Sequence, residues 1–119
     1  ISLADASEVL KEADKRGLVQ LTLYMPGRSI YAICSCCPCC CHVLQLLVNY
    51  HRMDLVTKSD YVAATDRERS VDCDIRVDRC VFGARSVKHD KLVHNSPDCF
   101  GCGLCVSVCP ENAIEIQKR

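Results

Sequence analysis

The sequence predicts an α+β fold. A strand–helix–strand–strand–helix–strand unit with pseudo-two-fold symmetry occupies residues 59–119, and a helix, a β-hairpin and a cysteine-dense loop precede it over residues 1–58. Three observations carry this reading. Displaced by 29 positions, the last third of the chain falls on itself: Ser70 on Cys99, Cys73 on Cys102, Arg76 on Cys105, Cys80 on Cys109, Ala84 on Ala113 and Val87 on Ile116. Each half of that repeat reads as a loop, a short helix and a strand. Upstream, helical and alternating apolar periods occupy separate segments bounded by glycine and proline turns.

Ser2 to Arg16 reads as a helix, with Leu3, Ala6, Val9, Leu10 and Ala13 at helical spacing. Ser2 and Asp5 form a capping-box pattern, Lys15 and Arg16 suit the last turn, and Gly17 stops the helix. Residues 18–24 alternate loosely and predict a strand. Met25-Pro26-Gly27-Arg28 is a turn signal, and Ser29 to Cys34 predicts the return strand of a hairpin. His42 to His51 predicts a short helix, and residues 52–60 a polar connector. Tyr61 to Ala64 opens the repeat and Ala113 to Gln117 closes it. Residues 85–94 supply a hairpin between the halves that turns near His89-Asp90.

Twelve of the 119 residues are cysteine, far above ordinary usage. So small a core needs staples, either disulfides or metals. Lysine plus arginine and aspartate plus glutamate both number 15, so the formal net charge is zero. This balance argues against a nucleic-acid partner. The longest apolar run, residues 43–48, is too short for a membrane span. Nothing resembles a Ser–His–Asp arrangement, a paired-carboxylate site or a phosphate-binding glycine loop, so no enzyme activity is expected.

The segment Cys99 to Pro110 reads C-x2-C-x2-C-x3-C-P. That run is the ligand pattern of [4Fe–4S] clusters in bacterial two-cluster proteins, where its fourth cysteine serves the other cluster. A cubane presents four irons at tetrahedral corners, each needing one outside thiolate. Cys99, Cys102 and Cys105 can wrap three corners within one tight loop, and Gly101 and Gly103 let the backbone approach. The competing readings are a zinc site or a disulfide knot. Zinc sites ordinarily pair two C-x2-C knuckles and do not need this run.

This segment and the surrounding repeat resemble the bacterial-type ferredoxin family over about residues 61–118. The resemblance implies a ferredoxin-like βαββαβ iron–sulfur domain. It also implies that one cluster takes three cysteines from one run and its fourth from the other: here Cys99, Cys102, Cys105 and Cys80. The sister site would need Ser70, Cys73, Arg76 and Cys109, of which two are not ligands. The expectation is one intact [4Fe–4S] cluster and one vacated site, with Cys73 and Cys109 left facing each other across it. These two are either buried free thiols, a disulfide or a residual metal site. The Arg76 charge would replace part of the lost cluster's electrostatic role.

Cys34, Cys36, Cys37, Cys39, Cys40 and Cys41 lie within eight residues, with Pro38 among them and His42 next. In an extended stretch Cys34 and Cys36 share a face. A bend at Pro38 would present three or four thiolates to a second metal or cluster, zinc or iron–sulfur, with His42 as a further zinc donor. Disulfide packing alone is disfavoured, because neighbouring cysteines bridge only with strain. An inert reduced loop is the remaining reading. The order of helix, hairpin, ICSCCPCCC, helix and Tyr61-Val62-Ala63 also resembles larger iron–sulfur proteins of anaerobic microbes with an ICNCCPCCC-like stretch. That resemblance implies that this chain corresponds to their C-terminal part.

The expected function is single-electron transfer through one [4Fe–4S] cluster, as a subunit or domain of a larger redox system with protein redox partners. The alternative is a non-catalytic metal module, structural or redox-sensing. Thiolate ligands need a reducing setting, so the expected location is the cytoplasm.

Overall fold

The computed structural model describes residues 1–27, 29–69 and 74–119. Helix α1 spans Leu3–Lys15 and starts on the expected capping box. The Ser2 hydroxyl accepts from the Asp5 N–H at 3.1 Å, and the Asp5 carboxylate accepts from the Ser2 N–H at 3.1 Å. Its last carbonyls are covered from a distant part of the chain: Arg79 donates to the backbone oxygens of Asp14 and Lys15. A cation therefore sits at the negative end of the helix dipole. Gly17, at φ +77°, turns the chain toward strand β1, Val19–Tyr24.

Strand β2, Ile30–Cys36, runs antiparallel to β1 and places Cys36 opposite Val19. The sequence pattern ended this strand at Cys34. It runs further because Ser35 and Cys36 keep pairing with Gln20 and Val19, and the Ser35 hydroxyl donates to Gln20 Oε1 at 2.8 Å. After a turn at Cys37–Cys40, helix α2 covers His42–Tyr50 and buries Leu44 and Leu47. It stops at His51, which takes the left-handed conformation at φ 53°.

The second half follows as β3 (Tyr61–Thr65), α3 (Ile75–Arg79), β4 (Arg85–Lys88), β5 (Lys91–His94), α4 (Leu104–Ser107) and β6 (Ile114–Lys118), with a 3-10 turn at Ser96–Asp98. Strand β3 pairs antiparallel with β6, and β4 with β5. The β4–β5 turn falls on His89 and Asp90, both at positive φ (51° and 60°), as a tight two-residue hairpin turn requires.

Two apolar cores hold these elements. Ala63, Ala84, Cys99, Cys109, Ala113 and Ile114 form one, between β3, β6 and the loops of the repeat. Val19, Cys36, Leu44 and Leu104 form the other, flanked by Leu21, Cys34, Cys41, Val81, Phe82 and Cys102. The second core joins the hairpin and α2 to the C-terminal half. It sets the end of the cysteine-dense stretch against Cys102. Among the described residues no helix is long and apolar enough to cross a membrane.

Candidate metal centre

Four cysteines reach one cavity from four different backbone settings. Cys80 is the residue that ends α3. Cys99 follows the 3-10 turn, its N–H donating to the Ser96 carbonyl at 3.1 Å. Cys102 stands between two glycines in left-handed backbone, Gly101 at φ +75° and Gly103 at φ +80°. Cys105 lies in the first turn of α4. A Cβ on Gly101 would sit 2.2 Å from the Tyr61 carbonyl oxygen, so only glycine lets the loop close on β3. All four line one cavity, together with Ala63, Ala84 and Leu104. Phe82 and Phe100, stacked with ring centroids 4.4 Å apart, form an apolar part of its wall. Lys58 covers the Phe100 ring at 5.3 Å.

The electrostatics fit an anionic metal cluster. Burial pushes the Cys102 thiol up to about 11; the Leu104 N–H works against that, while Cys80, Cys105 and Cys99 add to it. Burial also raises Cys105, opposed by the charge of the Arg85 guanidinium. Thiols raised in this way, Cys102 and Cys105, remain protonated unless cations offset their charge, which iron does. The wall also carries donors awaiting an acceptor. Arg85 is 3 % exposed and gives Nη1 to the Thr65 hydroxyl at 3.1 Å. Its Nη2 and the His94 Nε2 are buried on the same wall with no partner among the described residues. Bridging sulfides and cysteine sulfurs of a cluster are acceptors of the kind these atoms lack. The residues present therefore fit a [4Fe–4S] group.

Cys109 lies outside this cavity. It is 5 % exposed in the core with Ala63, Ala113 and Ile114, and its sulfur accepts from the Ala113 N–H at 3.3 Å. Arg76 is completely buried on α3. Ser70 and Cys73 lie outside the described residues, and with them the expected facing of Cys73 and Cys109.

The six cysteines at 34–41 sort into two groups. Cys34 and Cys36, on one face of β2, bring their sulfurs to 2.9 Å. Cys41, the N-cap of α2, packs against the same apolar core as Cys34 and Cys36. On the turn, the sulfurs of Cys37, Cys39 and Cys40 all lie within 4.8 Å of one another. Cys37 and Cys39 form a disulfide, contrary to the expectation that bridging is disfavoured here. The bend at Pro38 removes the objection by bringing their Cα atoms to 5.3 Å, inside the ordinary range for a bridge. His42 is exposed on the first turn of α2.

Sequence reasoning missed Arg85 and His94 as walls of the cavity. The repeat marks Ala84 and Val87 as its shared positions and says nothing of a buried arginine between them.

Residues 92–115 match the family model of the 4Fe–4S binding domain. The match is consistent with a ferredoxin-type domain in the C-terminal part of the chain. The matched segment holds Cys99, Cys102, Cys105 and Cys109. Cys80 lies outside it and joins the cavity through the fold alone. No curated protein and no solved structure matches the chain.

Proposed function

We propose that the chain is a single-electron carrier holding one [4Fe–4S] cluster on Cys80, Cys99, Cys102 and Cys105. The observation that carries this is the convergence of those four cysteines on one cavity. The order strand–helix–strand–strand–helix–strand, with its outer strands paired and its inner strands in a hairpin, supports a ferredoxin-like βαββαβ domain. When bound, the cluster would supply a one-electron couple. The chain's own residues set its surroundings: the two phenylalanine rings shield one side, the Leu104 N–H and the Arg85 guanidinium stabilise cysteine sulfur, and Gly101 keeps the loop against β3. A vacated sister site removes the internal electron relay of two-cluster proteins. It favours a role as a subunit or domain of a larger redox system, exchanging electrons with protein partners. Its thiolate ligands suit a reducing compartment such as the cytoplasm.

Anaerobic purification followed by iron and labile-sulfide analysis, and by EPR after dithionite reduction, tests this. The expected result is about four sulfides per chain and a reversible one-electron signal. A protein without labile sulfide would refute the cluster. A cluster that dithionite cannot reduce would refute low-potential electron transfer and leave the group a structural part.

A further inference from the structure

We propose that the turn at Cys37–Cys40 is a redox-gated site for one thiophilic divalent ion, zinc by its chemistry. The site is closed while Cys37 and Cys39 are bonded to each other and opens when that bond is reduced. The sulfurs of Cys37, Cys39 and Cys40 all lie within 4.8 Å of one another, and no histidine or carboxylate among the described residues joins them. Tetrahedral zinc with Zn–S bonds of about 2.3 Å places its sulfurs about 3.8 Å apart. Cys39 and Cys40 already stand at 3.7 Å. Cys37 needs only release from Cys39 to take a third corner. The backbone holds this grouping without help from the disulfide. The Cys40 and Cys41 N–H groups both donate to the Cys37 carbonyl, at 3.4 and 2.9 Å. Gln45, on α2, donates its Nε2 to the Cys39 carbonyl at 2.9 Å. Pro38 fixes φ inside the turn. Reduction therefore leaves three thiols on a turn that is already closed.

Exposure separates these cysteines from their neighbours. Cys34, Cys36 and Cys41 belong to the apolar core with Val19, Leu44 and Leu104, where a thiol serves as a small hydrophobe. Cys39 and Cys40 are exposed and Cys37 is half-buried, so packing does not account for the three. An exposed thiol is open to oxidation, a liability that a disulfide or a bound ion removes. The turn offers both. Opening it consumes a dithiol. One thiolate of that dithiol attacks the Cys39 sulfur, the more exposed of the pair, and displaces Cys37, which takes up a proton. The dithiol's second thiol then closes onto its first, leaves as a cyclic disulfide, and frees Cys39. Zinc binding to Cys37, Cys39 and Cys40 displaces the three thiol protons, and water holds the fourth corner. The reverse exchange with a disulfide reforms the Cys37–Cys39 bond and ejects the ion. Metal uptake at this turn thereby follows the thiol–disulfide balance of its surroundings.

The proposal does not depend on the cluster assignment, because labile sulfide is measured in the same samples. The full chain, purified anaerobically, is divided into two portions, one equilibrated with oxidised glutathione and one with dithiothreitol. Both are desalted, the Cys37–Cys39 bond is checked by peptide-resolved mass spectrometry, and cobalt is added as the probe. The reduced portion should take up about one cobalt ion per chain with thiolate-to-cobalt absorption, and zinc should displace it. The oxidised portion should lose that uptake. Cys40→Ser leaves the disulfide pair intact and should lose the uptake after reduction. The triple variant Cys37→Ser/Cys39→Ser/Cys40→Ser, confined to one surface turn, should keep the sulfide of the wild type and take no cobalt in either portion. Four results would each overturn the proposal: no disulfide in the oxidised portion, equal uptake in the two portions, undiminished uptake in Cys40→Ser, or reduced wild type taking no more cobalt than the triple variant. Absence of sulfide with the cobalt differences intact refutes the cluster and supports the turn.

Discussion

The Arg85 guanidinium stands with Cys105 on the wall of the four-cysteine cavity, and its charge works against the burial that raises the Cys105 thiol. Arg85 is 3 % exposed, and no carboxylate among the described residues forms an ion pair with it. A buried cation in that position is costly unless negative charge lies nearby. The thiolates and an anionic cluster provide that charge, more of it after reduction than before. Arg85→Gln should therefore lower the midpoint potential. A differential of about 1 kcal/mol between the oxidation states corresponds to about 40 mV for one electron. Arg85→Lys keeps the charge but loses the fork, and should fall between the two. Redox titration followed by EPR gives the comparison, and an unchanged potential in Arg85→Gln would show that the residue only supports the fold.

Cys80 and Cys109 separate the two possible sources of the fourth ligand. Cys80 lines the cavity, whereas Cys109 is buried in the neighbouring core. Cys80→Ala should abolish stable cluster binding, seen as loss of labile sulfide. Cys109→Ala should keep the sulfide and cost about 1–2 kcal/mol of stability, the range for trimming a small buried side chain. The reverse pattern would mean that the run at Cys99–Cys109 supplies all four ligands itself.

Much of the molecule was legible because local rules and tertiary structure agree. The capping box at Ser2 and the turn at His89-Asp90 each depend on neighbours in sequence, and each is found where the sequence put it. The motif named Cys99, Cys102 and Cys105 for the same reason. Arg85 and His94 were invisible because their role arises where β4 and β5 meet the cysteine loop, a contact that no spacing encodes. The end of β2 was misjudged because the pairing of Ser35 and Cys36 with β1 outweighs the break suggested by a run of cysteines. The disulfide at Cys37–Cys39 depends on the path of the chain at Pro38, which composition does not specify.

Gly101 and Gly103 share a left-handed backbone but differ in their surroundings, which makes them a controlled pair. A Cβ at Gly103 meets nothing within 4 Å, so Gly103→Ala should cost about 1–2 kcal/mol, the conformational penalty alone. At Gly101 the same Cβ collides with the Tyr61 carbonyl at 2.2 Å, and backbone must move. Gly101→Ala should lose more stability than that and also lose cluster occupancy, because the displaced loop carries Cys99 and Cys102. Thermal unfolding and sulfide content, measured on both variants, check the ordering. Equal losses would mean that the close approach to β3 is dispensable.

Removing the cluster should expose the pH dependence built into the cavity. Burial holds the cluster-free Cys102 thiol up to about 11 and raises Cys105 as well. A metal ligand must give up its proton, so loading the site releases protons, and uptake should strengthen as pH rises toward 11. The same shift sets the reactivity of the empty site, since only the thiolate attacks an alkylating agent. With iodoacetamide near neutral pH, Cys102 and Cys105 should be modified more slowly than the exposed Cys40. Their rates should climb through the alkaline range, as ionisation overcomes burial. In the loaded protein both should stay unmodified across the range, because iron holds the sulfurs. Peptide-resolved mass spectrometry after timed alkylation distinguishes these cases. Rapid neutral-pH labelling of Cys102 in the cluster-free chain would show that the cavity opens to solvent once its metal is gone.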